Sequence, residues 1–413
     1  MSTDKRFDLI VIGSGAAGMM SAIVASRHGN KVLLVEKLSK IGAKLKATGG
    51  GRCNLTNTLS NEDFIERFGR EGRFMRDALE RFDHKALIDF FAQIGVTTHA
   101  PDGYRVFPTS HQSATIIAAL EEEMNKLGIE ILCSCEAKEI HFEAGHIKGI
   151  STTLGDFFAS NIIIATGGLG YPVLGAHGDG YRFAESVGHQ ITELSPAMMP
   201  LKVREEWVAN CRADTIPKVE IKVDLPKTKK LRAKGDLIFT KNGIRGPVVL
   251  DFARYVTPLL KDHDAVPILL NLTKGMHEEE IFNHLKTQAK QNPGHTILEH
   301  IMTLLPLAIS KELCLQADIN ETCQYSEIEG FKRDKLIKLL AWTPLSITGH
   351  DGFEKAMITR GGVSLKEIDP KTMQSKLVKG LYFCGEVMDL DGPCGGYNLQ
   401  WSFSSGYLAG QLN

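Results

Sequence analysis

The sequence has no excess of charge of either sign. It contains 48 Lys and Arg residues against 49 Asp and Glu residues, a formal net charge of −1. A protein that binds nucleic acid over its whole surface needs a basic excess, so this balance argues against that class of protein. Any basic surface must therefore be local.

Long apolar runs, a signal peptide and a disulfide pattern are also missing. No segment approaches the ~18 apolar residues needed to span a bilayer. Residues 1–6 lead directly into the first predicted strand, without the apolar region of a secretory signal. The eight cysteines are scattered, and Cys133 and Cys135 lack further ligands at zinc-binding spacing. The sequence predicts a soluble cytoplasmic protein with free thiols and no metal site.

A nucleotide-binding pattern opens the chain. Its parts follow in order: a strand over 7–12, the glycines Gly13, Gly15 and Gly18 of a G-x-G-x-x-G motif, a helix over 16–27, a strand over 31–35, and Glu36. In such a unit the glycines permit a tight turn and close approach to a pyrophosphate, which the helix N-terminus holds. The acid at the end of the second strand accepts hydrogen bonds from a ribose. The order of the parts makes an ordinary glycine-rich turn the weaker interpretation.

Three successive glycines follow in the segment 42–57, between a pair of lysines and the sequence Arg52-Cys53-Asn54. Such a run does not form a stable helix or strand. Two interpretations remain open: a flexible surface loop, or a glycine backbone lying against the nucleotide. In the second, Lys46 and Arg52 would lie near phosphates.

Two further buried strands are predicted to end in small residues. The strand 161–164 leads into Ala165, Thr166 and Gly167, and no acid follows at the spacing of a second dinucleotide site. The strand 381–384 leads into Gly385 and Glu386, and a glycine-rich turn then precedes a helix. These strands are expected to approach the same nucleotide from other sides.

The middle of the chain has a different character. Residues 218–225 alternate strictly between polar and apolar, which is typical of a half-exposed antiparallel strand. Helical patterns follow after about residue 277. We therefore predict a discontinuous nucleotide-binding domain over 1–191 and 351–413, with an inserted β-barrel over 192–272 and a helical lobe over 273–350.

Together these motifs resemble a bacterial family of FAD flavoproteins called BaiN-like or aminoacetone-oxidase-like, a branch of the glutathione-reductase and fumarate-reductase type. The stretches that carry the resemblance are the G-x-G-x-x-G motif with Glu36, Thr48-Gly49-Gly50-Gly51-Arg52-Cys53-Asn54, Ala165-Thr166-Gly167-Gly168, and residues 385–400. The resemblance covers essentially the whole chain. It implies an α/β fold with a Rossmann-like FAD-binding domain and an inserted antiparallel β-barrel and helical lobe.

The resemblance also implies noncovalent FAD, with NADH or NADPH as a candidate transient electron donor. The residues expected to contact FAD are Gly13, Gly15, Ala16, Ala17, Gly18, Glu36, Lys37, Lys46, Gly50, Gly51, Arg52, Cys53, Asn54, Ala137, Ala165, Thr166, Gly167, Gly385, Glu386, Gly396, Tyr397, Asn398 and Leu399.

Members of the family differ in activity, so the resemblance leaves three functions open. The first is reduction of a uridine in large-subunit ribosomal RNA to dihydrouridine. The second is oxidation or reduction of a small metabolite, such as an aminoacetone-like amine or a steroid-like enone. The third is an FAD-binding module without turnover. Residues 217–234 hold seven basic residues against two acids, which suits either an RNA-binding patch or a solvated, lysine-rich hairpin.

Reduction of a C=C bond requires a proton donor as well as a hydride. Cys394 lies in the turn before the last helix, and thiols near helix N-termini exchange protons more readily than ordinary thiols. Cys53 and Tyr397 are rival candidates, and a bound water could replace all three. Cys394 could also be a small residue that only fills the turn.

Overall fold

The computed structural model describes residues 6–412. The chain divides into two compact units. The first contains the residues up to Pro196 and those from Met357 onward, and the second is Ala197–Ala356. Among the described residues, no helix combines the length and the apolar character that a membrane crossing requires.

The first unit combines a mixed sheet with surrounding helices. Its strands before the insertion are β1 (Arg6–Ile12), β2 (Val32–Val35), β3 (Thr56–Asn57), β4 (Thr98–His99), β5 (Arg105–Pro108), β6 (Glu130–Leu132), β7 (Ala137–Glu143), β8 (His146–Thr152), β9 (Gly155–Ile164) and β10 (Ser195–Ala197). Its helices before the insertion are α1 (Ala16–Arg27), α2 (Ala43–Ala47), α3 (Asn61–Glu66), α4 (Arg76–Arg81), α5 (His84–Gln93), α6 (Ser113–Lys126) and α7 (Asp179–Ser186).

The second unit contains strands β11 (Leu201–Val203), β12 (Thr215–Val223), β13 (Arg232–Phe239), β14 (Gly243–Arg245), β15 (Val266–Asn271) and β16 (Thr343–His350). Its helices are α8 (Pro247–Leu259), α9 (Glu278–Gln291), α10 (Ile297–Ile301), α11 (Leu307–Gln316) and α12 (Gly330–Ala341). The chain then returns to the first unit with β17 (Ile358–Arg360), β18 (Leu381–Phe383) and α13 (Tyr397–Ala409).

A parallel ladder forms the centre of the first unit, in the order β6, β2, β1, β9 and β18. Its strands are apolar on both faces, as expected for parallel strands covered on both sides by helices. The first half of β9 also pairs with the antiparallel meander β7–β8, whereas its second half pairs with β18. The strand predicted over 161–164 is therefore the end of a longer strand beside β1.

The first and last helices pack closely because small residues meet at their interface. A Cβ atom on Gly406 of α13 would collide with the backbone oxygen of Ala17 in α1. A Cβ atom on Gly385, just after β18, would lie 2.9 Å from the Cβ of Ala17. The last strand and helix are thus held directly against the G-x-G-x-x-G segment.

Six antiparallel strands of the second unit close into a barrel in the order β11, β14, β13, β12, β15 and β16. Barrel and helices share one apolar core. The structure differs from the predicted division: the inserted unit is Ala197–Ala356, where 192–350 was predicted, and residues 343–350 of the predicted helical lobe form the sixth barrel strand. The structure also contains a helix that the sequence did not predict, α8.

Candidate functional site

The turn between β1 and α1 lies against the end of β9. Gly13 has φ = +100°, and a Cβ atom there would lie 2.7 Å from the carbonyl oxygen of Ala165. A Cβ atom on Gly18 would collide with the oxygen of Gly13, whereas the space beside Gly15 is open. Only glycine therefore fits at Gly13 and Gly18, and Gly15 leaves the backbone accessible to a ligand.

The carboxylate of Glu36 faces this turn. Its Oε2 accepts hydrogen bonds from the backbone N–H of Ser14 (3.1 Å) and the Ser14 hydroxyl (2.5 Å), and its Oε1 accepts one from the N–H of Leu38 (2.9 Å). A carboxylate has about four acceptor positions, so a further hydroxyl can be bound. The Ser14 hydroxyl already donates to the carboxylate of Glu36, as a ribose hydroxyl is expected to do.

The first turn of α1 fits an anionic group. Gly15 is the N-cap, and no side chain caps the helix. Uncapped N–H groups at a helix N-terminus bind phosphate. The hydroxyl of Thr166, which lies beside Gly180 of α7, is buried and has no hydrogen-bond partner among the described residues. Open backbone, a helix N-terminus and an oriented carboxylate match the pyrophosphate and ribose of a dinucleotide, so the residues present fit FAD.

An ion pair connects the segment after β2 with the end of β18. Lys44 Nζ lies 2.8 Å from Glu386 Oε2, and Glu386 Oε1 accepts a hydrogen bond from the N–H of Thr359 (2.9 Å). Sequence reasoning named Glu386 and Lys46 but not Lys44; the side chain of Lys46 is exposed. Lys44 lies two residues before Lys46 in α2.

Lys37, another predicted FAD contact, binds within the protein. Its Nζ lies 2.5 Å from Asp179 Oδ2 and 3.2 Å from His177 Nδ1. Asp179 is the first residue of α7. The pair ties the end of β2 to the start of that helix.

The glycine loop and the turn before α13 are in direct contact. With the Asn54 amide turned to the orientation that satisfies its neighbours, its oxygen accepts a hydrogen bond from the N–H of Gly396 (3.1 Å), and its nitrogen donates to the Thr56 carbonyl (3.0 Å). Asn57 donates to the Gly395 carbonyl (2.9 Å). The backbone of Thr56 lies so close to Gly396 that a Cβ atom there would come within 2.5 Å of it. The sequence predicts that both segments contact the same ligand, and in the structure the two segments contact each other.

The turn itself is held by Asn398. Its Oδ1 accepts from the N–H of Gly392 (2.8 Å), and its Nδ2 donates to the Gly392 carbonyl (2.9 Å). Leu399, the next predicted contact, is partly exposed on the first turn of α13. Asn398 therefore shapes the turn in addition to any role in ligand binding.

The remaining predicted contacts lie in two places. In the loop, a short 3₁₀ segment covers Thr48–Gly51, so Gly50 and Gly51 continue directly from α2. Arg52 is exposed, and its guanidinium lies 5.6 Å from the centre of the Phe107 ring. Gly167 lies beyond β9 with open space beside it, and Ala137 is buried at the start of β7.

The three proposed proton donors differ in their surroundings. Cys53 is completely buried, and this burial raises the pKa of its thiol to about 12, although a hydrogen bond with Thr48 opposes the shift. Cys394 is partly exposed. Tyr397 is 3% exposed, and its hydroxyl is hydrogen-bonded to the hydroxyl of Tyr104, which sequence reasoning did not select.

The basic segment 217–234 lies on β12, β13 and the turn between them. Lys222 is directly opposite Arg232, and Lys234 pairs with Glu220 at 2.7 Å. The Lys222 ammonium lies 3.8 Å from the centre of the Trp342 ring. The turn adds a group of exposed lysines: Lys227, Lys229 and Lys230. The outer face of this hairpin combines concentrated positive charge with one partly exposed aromatic ring.

Comparison with known proteins places the chain among flavoenzymes. The family profile described as HI0933-like protein Rossmann domain matches residues 7–412. A 3-dehydro-bile acid delta(4,6)-reductase of Clostridium scindens is 31% identical over 97% of both chains. A ribosomal RNA dihydrouridine synthase of Haemophilus influenzae is 31% identical over 96% of both chains.

A solved structure shares the fold at lower sequence identity. The 3-ketosteroid delta1-dehydrogenase from Sterolibacterium denitrificans, in complex with 1,4-androstadiene-3,17-dione, superimposes with a TM-score of 0.55. The two chains are 12% identical, and the match covers 99% of each. At this identity the likeness concerns the fold alone.

Proposed function

Because the chain belongs to the HI0933-like family of FAD-dependent oxidoreductases, we propose that it reduces a C=C bond conjugated to a carbonyl group, with a uridine of large-subunit ribosomal RNA as substrate. The two named relatives support this reaction type. A 3-oxo steroid with unsaturation at C4 and a uracil ring both contain a C=C bond next to a carbonyl. Reduction of either adds a hydride at the far carbon and a proton at the carbon beside the carbonyl.

The residues of the first unit would bind and orient the cofactor. The turn from Gly13 to Gly18 and the start of α1 would hold the pyrophosphate, and Glu36 would accept hydrogen bonds from the adenosine ribose. The glycine loop and the turn around Gly396 would border the redox-active end. When bound and reduced, FAD supplies the hydride. The protein must supply the proton and exclude competing water.

The outer face of the β12–β13 hairpin is the observation that favours RNA over a small substrate. Lys222 and Arg232 are directly opposite each other, where like charges repel, so positive charge is concentrated on this face of the hairpin. Phosphate binding would neutralise both charges and those of the lysines in the turn.

The direct experiment is mass spectrometry of nucleosides from ribosomal RNA. Purified protein with FAD and either NADH or NADPH is incubated with large-subunit RNA from cells that lack the gene. We expect one uridine to gain two hydrogens. Ribosomal RNA that is unchanged, both in this reaction and in cells with and without the protein, would refute the RNA substrate.

The hairpin has its own test. The test variant replaces Lys227, Lys229, Lys230 and Arg232 by Ala. The slope of log K for RNA binding against log salt concentration should become less steep by about 3, because each lost phosphate contact removes about 0.7–0.9 from that slope. Flavin reduction should not change. The matched control removes four exposed lysines of the same unit: Lys274, Lys286, Lys290 and Lys338. An equal effect of both variants would assign the binding to net charge rather than to the hairpin.

The second candidate is reduction of a small enone, which the bile acid relative favours. Turnover of a 3-oxo-4-ene steroid should then occur without RNA, and the hairpin variant should match the wild type. Turnover of the steroid together with an absence of modified RNA would select this function.

A further inference from the structure

Two tyrosines in the first unit share a hydrogen bond between their hydroxyl groups, Tyr104 and Tyr397. Tyr397 is the first residue of α13, beside the turn that borders the proposed redox-active end. We propose that Tyr397 donates the proton of the reduction and that Tyr104 is a positioning residue that returns a proton to it from solvent. This inference rests on the proposed reduction of a conjugated C=C bond.

The surroundings of Tyr397 separate its ring from water. The residue is 3% exposed, and its ring centre lies 4.8 Å from that of Phe64 and 6.1 Å from that of Phe68. A buried phenol that has donated a proton must recover it before the next turnover. In a water-poor site, recovery requires a hydrogen-bonded neighbour that reaches the surface.

Tyr104 meets this requirement. It is partly exposed and lies immediately before β5. Its backbone is fixed on both sides: its N–H donates to Asp102 Oδ1 (3.0 Å), and its carbonyl accepts from the N–H of Thr58 (3.0 Å). The backbone of Tyr104 is therefore fixed at the surface, and its side chain reaches the hydroxyl of Tyr397.

The backbone of the turn leaves room for the pair. A Cβ atom on Gly395 would lie 3.3 Å from the Tyr397 ring and 3.7 Å from the Tyr104 ring. The Gly395 carbonyl is held by Asn57, which fixes the turn beneath both rings. The tyrosines thus contact the segment that the glycine loop also contacts.

The proton and the electrons balance if reduced FAD supplies the hydride. The hydride forms a C–H bond at the carbon far from the carbonyl, and the π electron pair of the double bond takes the proton of the Tyr397 hydroxyl at the neighbouring carbon. The hydroxyl proton of Tyr104 then moves to the Tyr397 oxygen, and water restores the proton of Tyr104. Each turnover consumes one hydride and one proton.

The test is Tyr104→Phe, which keeps the ring and removes the hydroxyl. Flavin reduction should be unchanged, whereas substrate reduction should slow by about tenfold or more, but by less than the ~10²–10⁴-fold expected for Tyr397→Phe. Substrate reduction is also measured in mixtures of H₂O and D₂O. A plot of its rate against the deuterium fraction should be curved for the wild type and straight for Tyr104→Phe. Tyr407→Phe is the control, because Tyr407 lies on the same helix and stacks on Phe82 at 4.4 Å.

A second readout does not depend on turnover. Proton NMR of the FAD-bound protein should show a downfield hydroxyl signal that is absent from Tyr104→Phe and Tyr397→Phe but present in Tyr407→Phe. Wild-type rates and an unchanged isotope curve in Tyr104→Phe would overturn the relay while leaving the reduction intact. A wild-type protein that reduces neither RNA nor an enone would refute the proposed function, and the relay would fall with it.

Discussion

Glu36 contributes to binding and to the local structure at the same time. Three donors from Ser14 and Leu38 point at its carboxylate, so Glu36→Gln places an amide N–H against one of them. We expect FAD affinity to fall about 10–150-fold, which corresponds to ~1.5–3 kcal/mol for a lost charged acceptor. Titration of the apoprotein with FAD, followed by flavin fluorescence, measures this effect.

The control for Glu36→Gln is Glu130→Gln. Glu130 is an exposed residue at the start of β6, two strands from β1 in the same sheet. Its replacement should leave FAD affinity unchanged. Equal affinity of Glu36→Gln and the wild type would show that the ribose is held by other groups.

Cys394→Ala separates the thiol from the tyrosine pair as the proton source. Because we assign the proton to Tyr397, we expect the variant to reduce substrate within a few-fold of the wild type, with normal flavin reduction. Stopped-flow absorbance follows the two half-reactions separately. A loss of about 10²–10⁴-fold in substrate reduction alone would instead identify Cys394 as the donor.

At the residue scale, sequence reasoning found the residues whose role depends on backbone geometry. Gly13, Gly18 and Glu36 lie where the motif predicts because turn sterics and strand length fix their positions. Lys44 was missed because its partner, Glu386, is 342 positions away in the chain. No local pattern distinguishes Lys44 from Lys46.

At the scale of elements, the contact between α1 and α13 depends on the absence of side chains. Gly406→Ala would place a methyl group against the backbone oxygen of Ala17. Overpacking of this kind costs about 1–3 kcal/mol, so we expect urea to unfold the variant at lower concentration. Gly330→Ala is the control, because Gly330 opens α12 and a Cβ atom there would lie 3.8 Å from the nearest atom, on the side chain of Arg333. An equal midpoint for Gly406→Ala and the wild type would show that the helices can separate without cost.

Elements with a clear hydrophobic period could be predicted from the sequence. Very short strands, and strand pairs that are far apart in the chain, could not. The predicted helix over 16–27 matches α1, since its small residues and its glycine borders are local signals. Strands β11 and β14 have three residues each, which is too short to show alternation. β16 pairs with β11 about 145 positions earlier in the chain, so barrel closure has no local signature.

At the scale of the whole molecule, buried and partly buried histidines make stability depend on pH. Burial lowers the pKa of His84, His189, His300 and His350 below the ordinary value of 6.5. For His189, a hydrogen bond with Glu367 opposes this shift. As pH falls below about 6.5, the unfolded chain binds protons that the native protein does not, so stability decreases toward acid.

The measurement is the melting temperature between pH 7.5 and pH 5. We expect it to fall toward acid, and to fall less steeply in His189→Gln, because His189 is held between Glu367 (3.1 Å) and Ser375 (2.7 Å). The exposed His146 provides the control variant, His146→Gln. A melting temperature that stays constant over this range would contradict the prediction.

The pairing of β18 with β9, and of α13 with α1, has a consequence for the biosynthesis of the protein. A ribosome produces α1 early, yet ten of its twelve residues are buried in the finished protein. Part of that cover comes from residues 397–409, and the β18 edge of β9 is filled only by residues 381–383. During translation, the nascent chain must therefore carry an uncovered apolar helix while the whole inserted unit is made. Chaperones that bind exposed apolar segments are expected to protect this interval, and a nascent chain can complete its cofactor site only after the return segment has emerged.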